Sequence, residues 1–150
     1  MRNITRLYRG SCKKTEIVNP SPVDVDDIEK LRQVGISNTL LVWATPFKKN
    51  ALAFAALSGK VSFALNTVGS PTNSAESITF YQDDWERKLD QLRIVYCYTF
   101  TVTGLNTVTF RKVNDREYVC ANPIVPILIE EYTVKQALDL FQIEVKPMDR

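Results

Sequence analysis

The chain contains no histidine. Histidine is the commonest general base and the commonest metal ligand near neutral pH, because its unperturbed pKa lies at about 6.5. Triads and dyads built on it are excluded, and any catalysis would fall to carboxylate, lysine, tyrosine or cysteine. Long apolar runs are also missing, since none approaches the roughly 18 to 20 residues that a membrane-spanning helix needs. The start, Met1-Arg2-Asn3-Ile4-Thr5-Arg6, is basic but has no apolar stretch behind it, so neither a secretory signal nor a membrane anchor is expected there. Without such a signal the glycosylation triplet Asn3-Ile4-Thr5 carries no weight. Cysteine is scarce: Cys12, Cys97 and Cys120 are too few and too scattered for a disulfide framework or a zinc site. Cys97 and Cys120 fall in apolar, strand-like segments, which favours buried free thiols over a bridge.

What is present fits one soluble domain: 150 residues, 45% of them hydrophobic, are enough for a single packed core. Acid is absent from residues 1–14, which carry Arg2, Arg6, Arg9, Lys13 and Lys14, a local charge of +5. The other 136 residues hold 14 basic against 17 acidic side chains, a charge of −3. With no strand or helix periodicity in those 14 residues, and Pro20 and Pro22 close behind, residues 1–20 read as a flexible basic arm. Residues 21–150 read as the folded domain.

Asp24, Asp26 and Asp27 at the front and Gly35 at the back of the next segment are helix start and stop signals, with Ile28, Leu31 and Val34 as its apolar stripe. Strand chemistry then dominates, with strands expected over 38–44, 60–67, 77–81, 92–103, 106–113, 117–121 and 124–129. The clearest alternation sets Ile94, Tyr96, Tyr98, Phe100 and Val102 on one face, and Gly104-Leu105-Asn106 reads as the hairpin turn after it. Residues 51–57 are ambiguous between strand and helix. Helices are expected at 83–92, with Trp85, Leu89 and Leu92 on one face, and after the capping box Thr133-Val134-Lys135-Gln136. A last strand follows at 142–146. Pro123 and Pro126 mark the apolar run to Ile129 as an edge strand or a core strand that begins on a proline. If it is an edge, Phe47, Tyr81 and Tyr132 are candidate aromatic partners in a subunit contact. The expected fold is all-β: an eight-stranded antiparallel jelly-roll sandwich with two or three short helices and a flexible arm.

Arg2, Arg6, Tyr8, Arg9, Lys13 and Lys14 are the candidate nucleic-acid-binding residues. Each phosphate neutralised by a cation releases a counterion, so five contacts would give a salt slope of roughly −3.5 on single strands, and Tyr8 could stack on a base. On this reading, deleting residues 2–14 weakens RNA binding and leaves thermal stability unchanged. The aspartates are expected to cap helices; Ca²⁺ at subunit contacts is the alternative use of such carboxylates. No cofactor is expected. A carboxylate-dependent hydrolase centred on Asp83 and Asp84 is the less favoured reading.

A short basic N-terminal segment (Arg2 to Lys14), a short helix (21–35) and a compact strand-rich body resemble the coat proteins of small satellite viruses. The resemblance covers the whole chain by length and layout, without a diagnostic motif, and the arm is less arginine-rich than in several of those proteins. It implies a single jelly roll that associates with itself, in up to sixty copies, into an icosahedral shell. It also implies RNA held by the N-terminal segment, no membrane partner, and residence in the virion and, during assembly, the host cytoplasm. A viral matrix or accessory RNA-binding protein is the alternative reading.

Overall fold

The computed structural model describes residues 6–57, 65–67, 78–81, 91–101, 110–140 and 143–146. In chain order the strands are β1 (Arg6–Ser11), β2 (Ser21–Pro22), β3 (Leu40–Ala44), β4 (Leu65–Thr67), β5 (Ile78–Tyr81), β6 (Ile94–Thr101), β7 (Arg111–Asn114), β8 (Glu117–Cys120), β9 (Leu128–Thr133) and β10 (Ile143–Lys146). The α-helices are α1 (Ile28–Gln33), α2 (Lys48–Leu57) and α3 (Val134–Leu140). The protein is mostly β, with three sheets ordered β1-β6-β9, β2-β3-β8-β7 and β10-β5-β4.

The alternation around β6 sets the architecture. Tyr98 and Phe100 point from one side of β6 into a core with Leu7, Val42, Ala44 and Cys120, which joins the first two sheets face to face. Val95 and Cys97, on the other side, pack with Leu52, Ala55 and Ala56 of α2 and Val134, Ala137 and Leu138 of α3. The outer face of the four-stranded sheet is covered by α1, through Leu31, Ile36, Leu41, Val113 and Val119. Two antiparallel sheets therefore form a sandwich with helical layers outside it. Among the described residues, no helix is long and apolar enough to cross a membrane.

Several elements fall where the sequence puts them. The capping box is complete: the Thr133 N–H donates to Gln136 Oε1 at 2.9 Å and the Gln136 N–H donates to Thr133 Oγ1 at 3.1 Å. Asp24 Oδ1 accepts from the Asp26 N–H at 3.2 Å, and Gly35 closes α1 with φ +77°. Cys97 and Cys120 are buried and unbridged, while Cys12 is exposed.

Other expectations give way. A segment of the expected flexible arm is a strand: all six residues of β1 pair with β6, from Arg6↔Thr101 to Ser11↔Tyr96. Leu7 is fully buried. Tyr8 also exchanges two main-chain hydrogen bonds with Thr45, at 2.7 and 2.9 Å, so β1 lies between β6 and the end of β3. Deleting residues 2–14 would therefore remove a strand that packs into the core as well as charge.

The described residues hold ten short strands rather than eight, and not all are antiparallel, since β10 pairs with β5 in parallel from Ile143↔Ile78 to Lys146↔Tyr81. The long stretch of chain between these two strands lets the second return in the same direction. The strand expected at 124–129 starts later, at Leu128: Ile124 makes a single bridge to Val18, and the prolines on either side of it have no N–H to continue a ladder. Phe47, expected at the surface, is buried. The α1 stripe narrows to Leu31, with Ile28 and Val34 partly exposed on so short a helix. The ambiguous 51–57 segment is helical. The Gly104 turn and the core of the 83–92 helix lie outside the described residues.

Candidate nucleic-acid interface

The N-terminal cations divide into two kinds. Arg6, Lys13 and Lys14 are exposed. Arg9 turns inward and donates from Nη1 to the Trp43 carbonyl at 3.0 Å, and burial lowers the pKa of its guanidinium, with Tyr98 acting the other way. Tyr8 is half-buried against the core cluster under α2, which leaves it little ring to offer a base. Arg2 lies outside the described residues.

Lys13 and Lys14 sit on a loop clamped from below. Tyr98 is almost wholly buried, yet its hydroxyl donates to the Lys13 carbonyl at 2.5 Å and accepts from the Thr15 N–H at 2.8 Å. Beside it, Arg93 donates from Nη1 to Cys12 Sγ at 3.2 Å and from Nη2 to the Ala55 and Ala56 carbonyls at 3.3 and 2.9 Å. That guanidinium ties two carbonyls near the end of the described α2 to the loop at Cys12. The two lysines are thus presented by a fixed loop rather than a loose tail.

A second polar group bridges α2 to β9. Lys48 Nζ lies 2.5 Å from Glu130 Oε1, the Tyr132 hydroxyl donates to Glu130 Oε2 at 2.9 Å, and Lys48 lies 6.0 Å from the Tyr132 ring centre. Partial burial pushes the Glu130 carboxyl up, but hydrogen bonds from Lys48 and Tyr132 outweigh this and hold it below the usual value of 4.5. Burial likewise lowers Lys48, but Glu130 and Tyr132 raise it above 10.5. Beneath them, burial pushes the Cys97 thiol up to about 12, so it stays protonated and unreactive at neutral pH.

The sign of the linkage follows. A depressed acid contributes stability above its unfolded pKa and loses it as pH falls below about 4.5, whereas a raised base loses its contribution above about 10.5. Glu130→Gln is expected to remove the pair's contribution, about 1 kcal/mol or less for so solvent-accessible a contact. The acid-side slope of stability between pH 5 and pH 3, from urea melts, should become shallower. An unchanged slope would show that the bridge adds nothing.

Other candidates come apart. Asp24 is occupied as a cap, and Asp27 pairs with Lys30 at 3.2 Å. Lys30 also meets Glu117 at 2.9 Å and lies 5.2 Å from the Trp43 ring centre, tying α1 to the four-stranded sheet. Among the described residues no three acidic or cysteine side chains gather to hold a metal ion. Asp83 and Asp84 lie outside the described residues. Sequence reasoning missed the roles of the Tyr98 hydroxyl, Arg93 and the Lys48–Glu130 bridge, because each acts on a partner 37 to 85 residues away and no spacing rule reaches that far. No family model, no curated protein and no solved structure matches the chain.

Proposed function

We propose that the protein is a viral coat protein that associates with itself into a small shell and holds RNA through its N-terminal cations. The observation that carries the RNA reading is the exposure of Lys13 and Lys14 on a loop that Tyr98 holds against the sandwich, with Arg6 exposed at the start of the same segment. A fixed loop loses little conformational entropy when it meets phosphate. The five N-terminal positive charges stand against a body of −3, and although Arg9 turns inward, the exposed ones favour polyanion binding on a segment that also carries β1. The sandwich belongs to this reading as a jelly roll. Support comes from its non-local antiparallel neighbours, β1 beside β6 and β3 beside β8, which are the kind of long return that Greek-key connections make.

The test separates cation roles. Replacing Arg6, Lys13 and Lys14 together with glutamine should flatten the salt slope of single-stranded RNA binding by about 2, at roughly 0.7 per phosphate contact. Arg9→Gln should leave the slope alone and lower the melting temperature, because its guanidinium is inside. An unaltered slope in the triple variant would remove the RNA interface. Sedimentation of the full chain with RNA reads the shell: particles of tens of subunits support a coat, whereas RNA binding by small species points to an accessory RNA-binding protein.

A further inference from the structure

Among the described residues, the terminal strands of the three sheets include β9 and β7, which, apart from the basic N-terminal strand, differ from the others in carrying two charges of a single sign. Such an edge presents unpaired N–H and C=O groups that can take another strand. The two edges are opposite in charge: β9, Leu-Ile-Glu-Glu-Tyr-Thr, has two acids and no base, and β7, Arg-Lys-Val-Asn, has two bases and no acid. Pairing β9 with β9 of a second copy would bring Glu130 and Glu131 against their own counterparts, and pairing β7 with β7 would do the same to Arg111 and Lys112. Like charges across a strand pair are destabilising, so each edge is guarded against itself. Between these two edges, the combination that turns the penalty into an attraction is β7 on β9.

Two of the four charges are already engaged. Glu130 is held by Lys48, and Arg111 donates to the Val34 carbonyl at 3.1 Å, capping α1. Glu131 is exposed and has no ion-pair partner among the described residues. Lys112 has only Asp115, at 2.9 Å with both side chains 56% exposed, a contact that water and salt readily replace. The faces also agree: Glu131 stands opposite Tyr96 and Lys112 opposite Tyr118, and both tyrosines pack into the core between the two sheets. Exposed Ile127 and Leu128 lie beside this edge and supply apolar area for a contact.

We propose that copies of this chain associate head to tail, β7 of one pairing with β9 of the next, with Lys112 of one facing Glu131 of the other. The inference rests on the self-assembly reading above and specifies its contact. A head-to-tail contact generates rings when its rotation closes and open chains when it does not.

The experiment is sedimentation velocity of the full chain, with and without single-stranded RNA, for the native protein, Glu131→Lys, Lys112→Glu and the double exchange. Each single reversal sets like charges together and should weaken association roughly tenfold, and the double exchange should restore it. Both positions are exposed, and circular dichroism melts check that every variant folds. Single variants that associate like the native chain, or a double exchange that fails to recover, overturn this contact and leave self-assembly standing. A native chain that stays monomeric with and without RNA overturns both.

Discussion

Gly10→Ala is expected to destabilise the protein by about 3 kcal/mol, the upper end of the usual overpacking cost. A Cβ at this position would lie 1.9 Å from the Ala51 carbonyl oxygen and 2.7 Å from the Ala55 Cβ, so α2 would have to lift off β1. The helix has nowhere to go, because Ala51, Leu52, Ala53, Ala55 and Ala56 are all buried. For a chain of this length the melting temperature should fall by roughly 6 to 12 °C. Adding Ala55→Gly should recover little, since the tighter clash is with backbone. A melting temperature within about 2 °C of native would contradict the close approach of α2 to β1 at Gly10.

Tyr98→Phe is expected to cost about 2 kcal/mol, because it leaves the Lys13 carbonyl and the Thr15 N–H without the hydroxyl that satisfies both. The ring itself stays, so core packing is nearly unchanged. The second signature is local: with the clamp gone, the loop beginning at Cys12 should open, and the Cys12 thiol should react faster with a maleimide reagent. Cys97 and Cys120 are buried and give little background. Native stability together with native labelling kinetics would contradict the clamp.

These two positions also explain what could and could not be read from the sequence. β6 was legible because its inward residues alternate cleanly, and the α3 start because the capping box is a local pattern three residues long. β1 was hidden by its own construction. Gly10 is there because a helix approaches closely, and Arg9 is there because its guanidinium reaches a carbonyl, so neither contributes to an apolar alternation. The basic count was right as arithmetic and misleading as structure, since one of the five cations is internal. α2 was ambiguous for a different reason: residues 51–57 are apolar throughout, and a run with no polar position lacks the 3.6-residue signal that separates helix from strand. The parallel pairing of β5 with β10 was beyond reach, because register between distant strands leaves no mark on either one.

The pairing of β1 with β6 also bears on how the chain is made. Residues 6–11 meet partners 85 to 95 positions later, so β1 leaves the ribosome well before the strand it pairs with and must wait for it. At about 5 to 20 residues per second, that wait is roughly 5 to 20 s. During it, Leu7 and its neighbours have no ladder to join, and the nascent segment is open to chaperones, to polyanions and to other nascent copies. Slowing translation before residue 94 should lengthen that exposure and lower the soluble yield, whereas the same slowing after residue 133, once β9 is made, should matter far less.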